Sequence, residues 1–305
     1  MLWVLFAVLA YLFLAVGVFI DRFLMKGPLK SPFAYAFYAG MLNSLVILFL
    51  LLNVFFDFLE PVSGITIILG MLTGFLAVWT LLVWFILVSK EEVSKASPVV
   101  GALQPILIVG VSLLFFLEQA IPSLNEISAF LLFLVGSVII VKKPGGFPLL
   151  KNHTTLFILS AFYFSLSWML LKVLFVLTNF WTVLVLVGIG SIIGAATLLF
   201  LPETRIDLAK KGLPIQKGLL IPFFIGRVAG AFGAIFQLAA IFFATIPQVP
   251  LIGALAGIQF LFLYFLLFFF AGKLPEMEEE MSGKALLKKI VGMVIIGLGF
   301  LTLTL

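Results

Sequence analysis

One guanidinium lies deep inside an apolar run: Arg227, in FFIGRVAGAFGAIFQ. A charge near the centre of a hydrocarbon layer costs about 3 kcal/mol on insertion scales, so such charges mark pathways or substrate sites by default. Arginine does not usefully deprotonate, and its rigid fork of donors matches a carboxylate or another anion. Snorkelling toward a basic loop, or an ion pair with Asp21 or Glu118, are the alternatives. Gln237 follows ten residues later, within about 80° of Arg227 on a helix surface. Gly230, Ala231, Gly233 and Ala234 lie between them, small enough for close helix packing or for cargo. Gln104 and Gln259 stand six and nine residues beyond Pro98 and Pro250. At 1.5 Å per residue, both approach mid-membrane. Each could bind cargo or make an interhelical hydrogen bond. Pro105 removes a backbone donor beside Gln104 and predicts a kink. Trp79, Trp84, Tyr163, Trp168 and Tyr264 could wall a cavity, or pack and form interfacial belts.

Other chemistry is excluded by what is missing. All thirteen carboxylates fall in loops or at helix ends, so no acid at depth offers a proton relay. There is no cysteine, and the only histidine is His153. No HExxH, GxSxG or phosphate-cradling loop occurs. The sequence therefore predicts no catalytic residue, no metal and no cofactor, and does not read as an enzyme. PEMEEEMSGK (275–284) reads as a solvated loop.

The elements that position these residues follow from composition. Of 305 residues, 64% are hydrophobic and 10% charged, against about 25% charged in soluble domains. Lipid must be the solvent, and in lipid only helices or closed barrels satisfy the backbone. Ten apolar segments are placed at 2–20, 33–56, 65–88, 97–117, 126–141, 155–175, 181–201, 218–244, 249–271 and 287–304. The first has no basic region or cleavage site before or after it and reads as a retained span. Sixteen of the eighteen Lys and Arg lie in the odd-numbered loops, with Lys172 at most in the sixth. By the positive-inside rule the odd loops are cytoplasmic, both termini are outside, and the +5 net charge sets topology rather than nucleic-acid affinity.

The chain also repeats. PVVGAL from Pro98 and PLIGAL from Pro250 are 152 residues apart, and FAVLAYLFLAVGVFID from Phe6 pairs with FILSAFYFSLSWMLLK from Phe157 at 151. The Pro/Gly-rich stretch KKPGGFPLLKNH (142–153) divides the chain. Five spans per half force the halves into opposite orientations, giving an inverted repeat. The expectation is an all-α integral membrane protein of ten transmembrane helices. A first five-helix repeat covers 1–143, a linker 144–153, and a second repeat 154–305.

SKASPVVGALQPILIVGVSLLFFLEQ (94–119) resembles the fourth-helix motif of the EamA-like transporters of the drug/metabolite transporter superfamily. Ser97, Pro98, Gln104, Pro105 and Glu118 occupy the motif positions. KGPLKSPFAYAF and TNFWTVLVLVGIGS look like that family's repeat openings, so the likeness spans essentially the whole chain. Two features depart from it. Phe270 stands where the second repeat would match Glu118, and the second loop carries only Asp57 and Glu60 where many members are basic. The resemblance implies export of small organic metabolites such as amino acids across the cell (plasma) membrane. It implies alternating access around a cavity lined by helices one, three, four, six, eight and nine. An anionic or carboxylate-bearing substrate, the lipid bilayer, and a monomeric or dimeric state complete the expectation. Two other readings stay open: a lipid or drug translocator, and a non-transporting membrane scaffold.

Overall fold

A computed structural model describes residues 2–26, 31–90, 93–116, 121–141, 153–211, 220–270 and 283–304. Among these the chain is helical, with no strand. In chain order the helices are α1 (Leu2–Lys26), α2 (Pro32–Leu42), α3 (Ile47–Phe56), α4 (Gly64–Lys90), α5 (Val93–Phe115), α6 (Leu124–Val141) and α7 (Thr154–Leu177). They continue with α8 (Phe180–Leu198), α9 (Pro202–Lys211), α10 (Leu220–Phe243), α11 (Val249–Ala254), α12 (Gly257–Phe270) and α13 (Gly283–Thr304). Seven helical stretches are long and apolar enough to cross a membrane, and Val99–Phe115, Leu124–Ile140 and Ile290–Leu303 are shorter apolar helices. This is a multi-pass α-helical membrane protein.

Each expected apolar segment is helical, but two are interrupted. The second breaks into α2 and α3 around a 3-10 turn, Asn43–Val46. The ninth stops at Ala254 and resumes at Gly257. Pro105 does not interrupt α5, which runs through it. The short polar helix α9 follows the seventh segment, and its Asp207 carboxylate accepts from the Ser31 hydroxyl at the start of α2.

The helices sort into groups. α1 packs along α10 and α12, α7 packs along α5 and α4, and α6 pairs with α13. α2 lies against α4 and α8. The α1–α10 contact is an aromatic ladder, with Phe6 stacked on Phe243 at 5.3 Å and Phe13 beside Phe232 and Phe236 at 5.6 and 5.5 Å. The α4–α8 contact brings backbone onto backbone. A Cβ on Gly74 would collide with the Val187 carbonyl, and one on Gly190 with that of Met71. Close approach through small residues is how helices gain contact in lipid, where no hydrophobic force favours association.

The buried apolar residues form one large joined core and three smaller clusters among the described residues. The joined core runs from Trp3 at the start of α1 to Ile140 at the end of α6 and draws on α1, α5, α6, α7, α8, α10, α11, α12 and α13. One of the smaller clusters joins α2, α4 and α8 around Tyr35 and Phe85, another α4, α5 and α7 around Leu87 and Phe157, and a small one joins α1 and α12 at Ala15 and Leu263.

Candidate functional site

Gln104 is the twelfth of the 23 residues of α5, at the middle of that helix. Its side chain is 9% exposed, its Nε2 has no hydrogen-bond partner among the described residues, and its backbone carbonyl accepts from Ser165 Oγ of α7 at 3.0 Å. A buried amide without a partner costs about 1–3 kcal/mol, so this group is poised for a water or a ligand atom. One turn later α5 meets α11: a Cβ on Gly253 would touch Pro105 at 3.4 Å and Ile108 at 3.1 Å.

Beyond that crossing the ninth segment breaks at Leu255 and Ala256. A break at membrane depth must be satisfied from within the protein. Tyr11 Oη of α1 donates to the Ile252 carbonyl at 2.5 Å, and Ser137 Oγ of α6 donates to the Ala254 carbonyl at 2.7 Å. The same Ser137 oxygen accepts from Gly257 N–H at 3.2 Å. Gln259, two residues into α12, is half-buried and its backbone N–H donates to the Ala256 carbonyl at 3.0 Å.

Arg227 sits on α10 about 10 Å from its first residue, Leu220. Its Cζ lies 4.8 Å over the ring of Tyr35 on α2, a cation–π contact worth about 0.5–2 kcal/mol depending on desolvation. Tyr35 is 2% exposed and meets Phe85 of α4 edge-on at 4.6 Å. Gln237, on the same helix, is about 15 Å further along and half-buried. The two side chains therefore serve different levels of the bundle.

The aromatic candidates divide. Trp168 is buried in the joined core on α7. Trp79 Nε1 donates to Thr197 Oγ1 at 3.3 Å, a tie between α4 and α8. Tyr163 is half-buried beside Phe162, and Trp84 packs edge-on to Phe164. Tyr264 lies in α12, its side chain outside the described residues, as are those of Asp21 and Glu118.

Sequence reasoning missed Lys172. It is not in the sixth loop but within α7, 7% exposed, one turn beyond Trp168. Its Nζ donates to the carbonyls of Ala244, Ile241 and Phe242 at 2.5, 3.3 and 3.5 Å, capping the C-terminus of α10. The available signal was the charge pattern itself, in which Lys172 is the one basic residue near a set of loops otherwise without Lys or Arg. Nearby, Glu60 Oε2 accepts from Thr178 Oγ1 and from Asn179 N–H, both at 3.0 Å, placing an anion at the start of α8 as the helix dipole favours. A crevice of about 330 Å³ opens at this end, lined by Leu2, Trp3, Phe243, Gln248 and Leu303. Among the described residues no group of three His, Asp or Glu side chains could hold a metal.

The class is thus a multi-pass helical membrane protein with buried polar groups at depth. No family profile and no curated protein matches the chain. Ten chains of solved structures do match. One of them, described as "Crystal structure of protein", is 17% identical, covers 98% of this chain and 95% of its own, and superposes with a TM-score of 0.66. At that identity the likeness establishes a shared fold across nearly the whole length.

Proposed function

We propose that the chain is an EamA-like transporter of the drug/metabolite transporter superfamily that moves small organic metabolites, with export favoured by that resemblance. It crosses the membrane ten times as two inverted five-helix repeats, the three shorter apolar helices completing the count. Contacts support this symmetry. Exchanging each span with the one five places away carries the α1–α10 contact onto α7–α4 and α1–α12 onto α7–α5. The α2–α8, α5–α11 and α6–α13 contacts map onto themselves, as a two-fold axis in the membrane plane requires.

The single observation that carries the transport reading is Gln104, a buried amide at the middle of α5 whose Nε2 has no partner among the described residues, beside the crossing of α5 and α11. Polar groups at membrane depth mark substrate pathways by default, and inverted-repeat transporters place their sites there. Gln104 is the mid-membrane contact, and Arg227 meets an anionic cargo near the basic face. Gln237, Gln259, Trp168, Tyr163 and Tyr264 line the route, and Trp79 supports it from the α4–α8 contact.

Efflux and uptake in reconstituted vesicles, run across a panel of amino acids and carboxylates, test the reading. At least one compound should move, with Arg227→Ala and Gln104→Ala each lowering its flux about tenfold, the loss of one good anion or amide contact. Flux of every compound at the protein-free rate would reject it.

A further inference from the structure

Lys172 is the buried charge that the transport reading leaves without a task. On α7 it shares a stripe with Ser165 and Trp168, since positions three, four and seven apart lie on one helix face. Ser165 holds the carbonyl of Gln104, Trp168 packs in the joined core one turn on, and Lys172 occupies the next turn. The stripe therefore runs about 10 Å from the mid-membrane amide to the even-loop end.

At that end Lys172 joins two helix groups. It belongs to the group α4, α5 and α7, whereas the carbonyls it holds end α10, which packs chiefly along α1 and only lightly on α7. Three N–H groups meet three carbonyls, so the ammonium is saturated where water is excluded. The carbonyls carry the negative end of the α10 dipole. A cap of this kind does not need a lysine: helix C-termini commonly close on a glycine and their own backbone. A cation reaching from a neighbouring helix does what a local cap cannot, because its bonds break when the two helices part.

We propose that Lys172 is the clasp of the even-loop face, a positioning residue whose bonds to the end of α10 hold that face shut and release when it opens. This rests on the alternating-access reading above, and it predicts a one-sided effect. Weakening the clasp frees the even-loop end and leaves the packing near the basic loops as it is or tighter.

The natural absence of cysteine allows a direct test in vesicles. Leu174, fully buried on α7 two residues beyond the clasp, and Val78, buried on α4 in the cluster that holds Tyr35 and Phe85, are each replaced by a single Cys. A membrane-impermeant thiosulfonate is applied from either side. Lys172→Met should speed labelling of Leu174→Cys about tenfold from the even-loop side, with Val78→Cys unchanged or slower. Lys172→Arg, which keeps the charge and donors, should restore the slow rate. Equal acceleration at both sites would mean that Lys172 only stabilises the fold, and no acceleration at Leu174→Cys would mean it is no clasp; either overturns the proposal. Lys172→Gln, keeping a donor, is read the same way if Lys172→Met does not fold. One-sided labelling together with absent flux in the metabolite panel would instead reject the transport reading while leaving the clasp in place.

Discussion

The two ends of the bundle hold their cations differently. At the even-loop end Lys172 is enclosed, its amine bonded to three carbonyls within a core that draws on nine helices. Toward the basic loops Arg227 is half-buried on a helix whose neighbouring Phe224 is 68% exposed, and it reaches Tyr35 by a ring contact. α10 and α2 otherwise pack only marginally among the described residues, whereas α4 and α8, their counterparts under the proposed symmetry, are joined backbone to backbone. Under the proposed inverted repeat, equivalent contacts need not be equally tight, and the tight one lies between α4 and α8. The comparison teaches which tie opening of the even-loop end would have to break: the enclosed lysine, bonded to the end of α10.

The strongest way to break this contrast is at the tight contact. Gly190→Leu drives a side chain into the Met71 backbone and should cost about 3 kcal/mol, the upper end of overpacking, read as a large fall in thermal midpoint in detergent. Lys172→Met should come next, at about 1.5–3 kcal/mol for lost charge-assisted bonds, also seen as a lowered midpoint. Tyr11→Phe removes the bond to the Ile252 carbonyl at the helix break and should cost about 1 kcal/mol. Trp79→Phe, losing the tie to Thr197, should cost about 0.6 kcal/mol, the mean of an interhelical bond in lipid. Smallest of all is Gly230→Ala on α10, where a Cβ meets nothing within 4 Å. It should be neutral or stabilise by up to about 1 kcal/mol through helix propensity. A destabilisation there equal to that of Gly190→Leu would erase the difference between the two contacts.

Much of this was legible along the chain. Apolar runs marked the helical segments other than the polar α9, because a lipid-exposed helix must be apolar around most of its surface. The break at Leu255 was not legible, because VPLIGALAGI contains no proline after Pro250. It persists because Ser137 and Tyr11, over a hundred residues away, take up the freed backbone groups. Arg227 stood out as a charge in an apolar run, but its neighbour Tyr35 is separated by 192 positions and carries no local signal. Lys172 lay inside the predicted span 155–175 but close enough to its end to be allowed to the sixth loop, for lack of any local mark of burial; the carbonyls that hold it belong to a helix end that only the fold supplies. Trp79 stayed open between a cavity wall and packing because a tryptophan at depth looks alike whether its N–H meets cargo or a neighbouring helix, and the bond to Thr197 is set by a residue 118 positions away.

The central claim is that the ends alternate, and paired spin labels in reconstituted membranes measure that directly. One pair at Phe224 and Ser89 spans the ends nearest the basic loops, and another at Leu2 and Val176 spans the even-loop end; all four positions are exposed. The account predicts a long, broad distance for the first pair and a short, narrow one for the second. Lys172→Met should shift the two in opposite senses, shortening the first and lengthening the second. Distances that stay single and narrow at both ends, or that lengthen together, would contradict it.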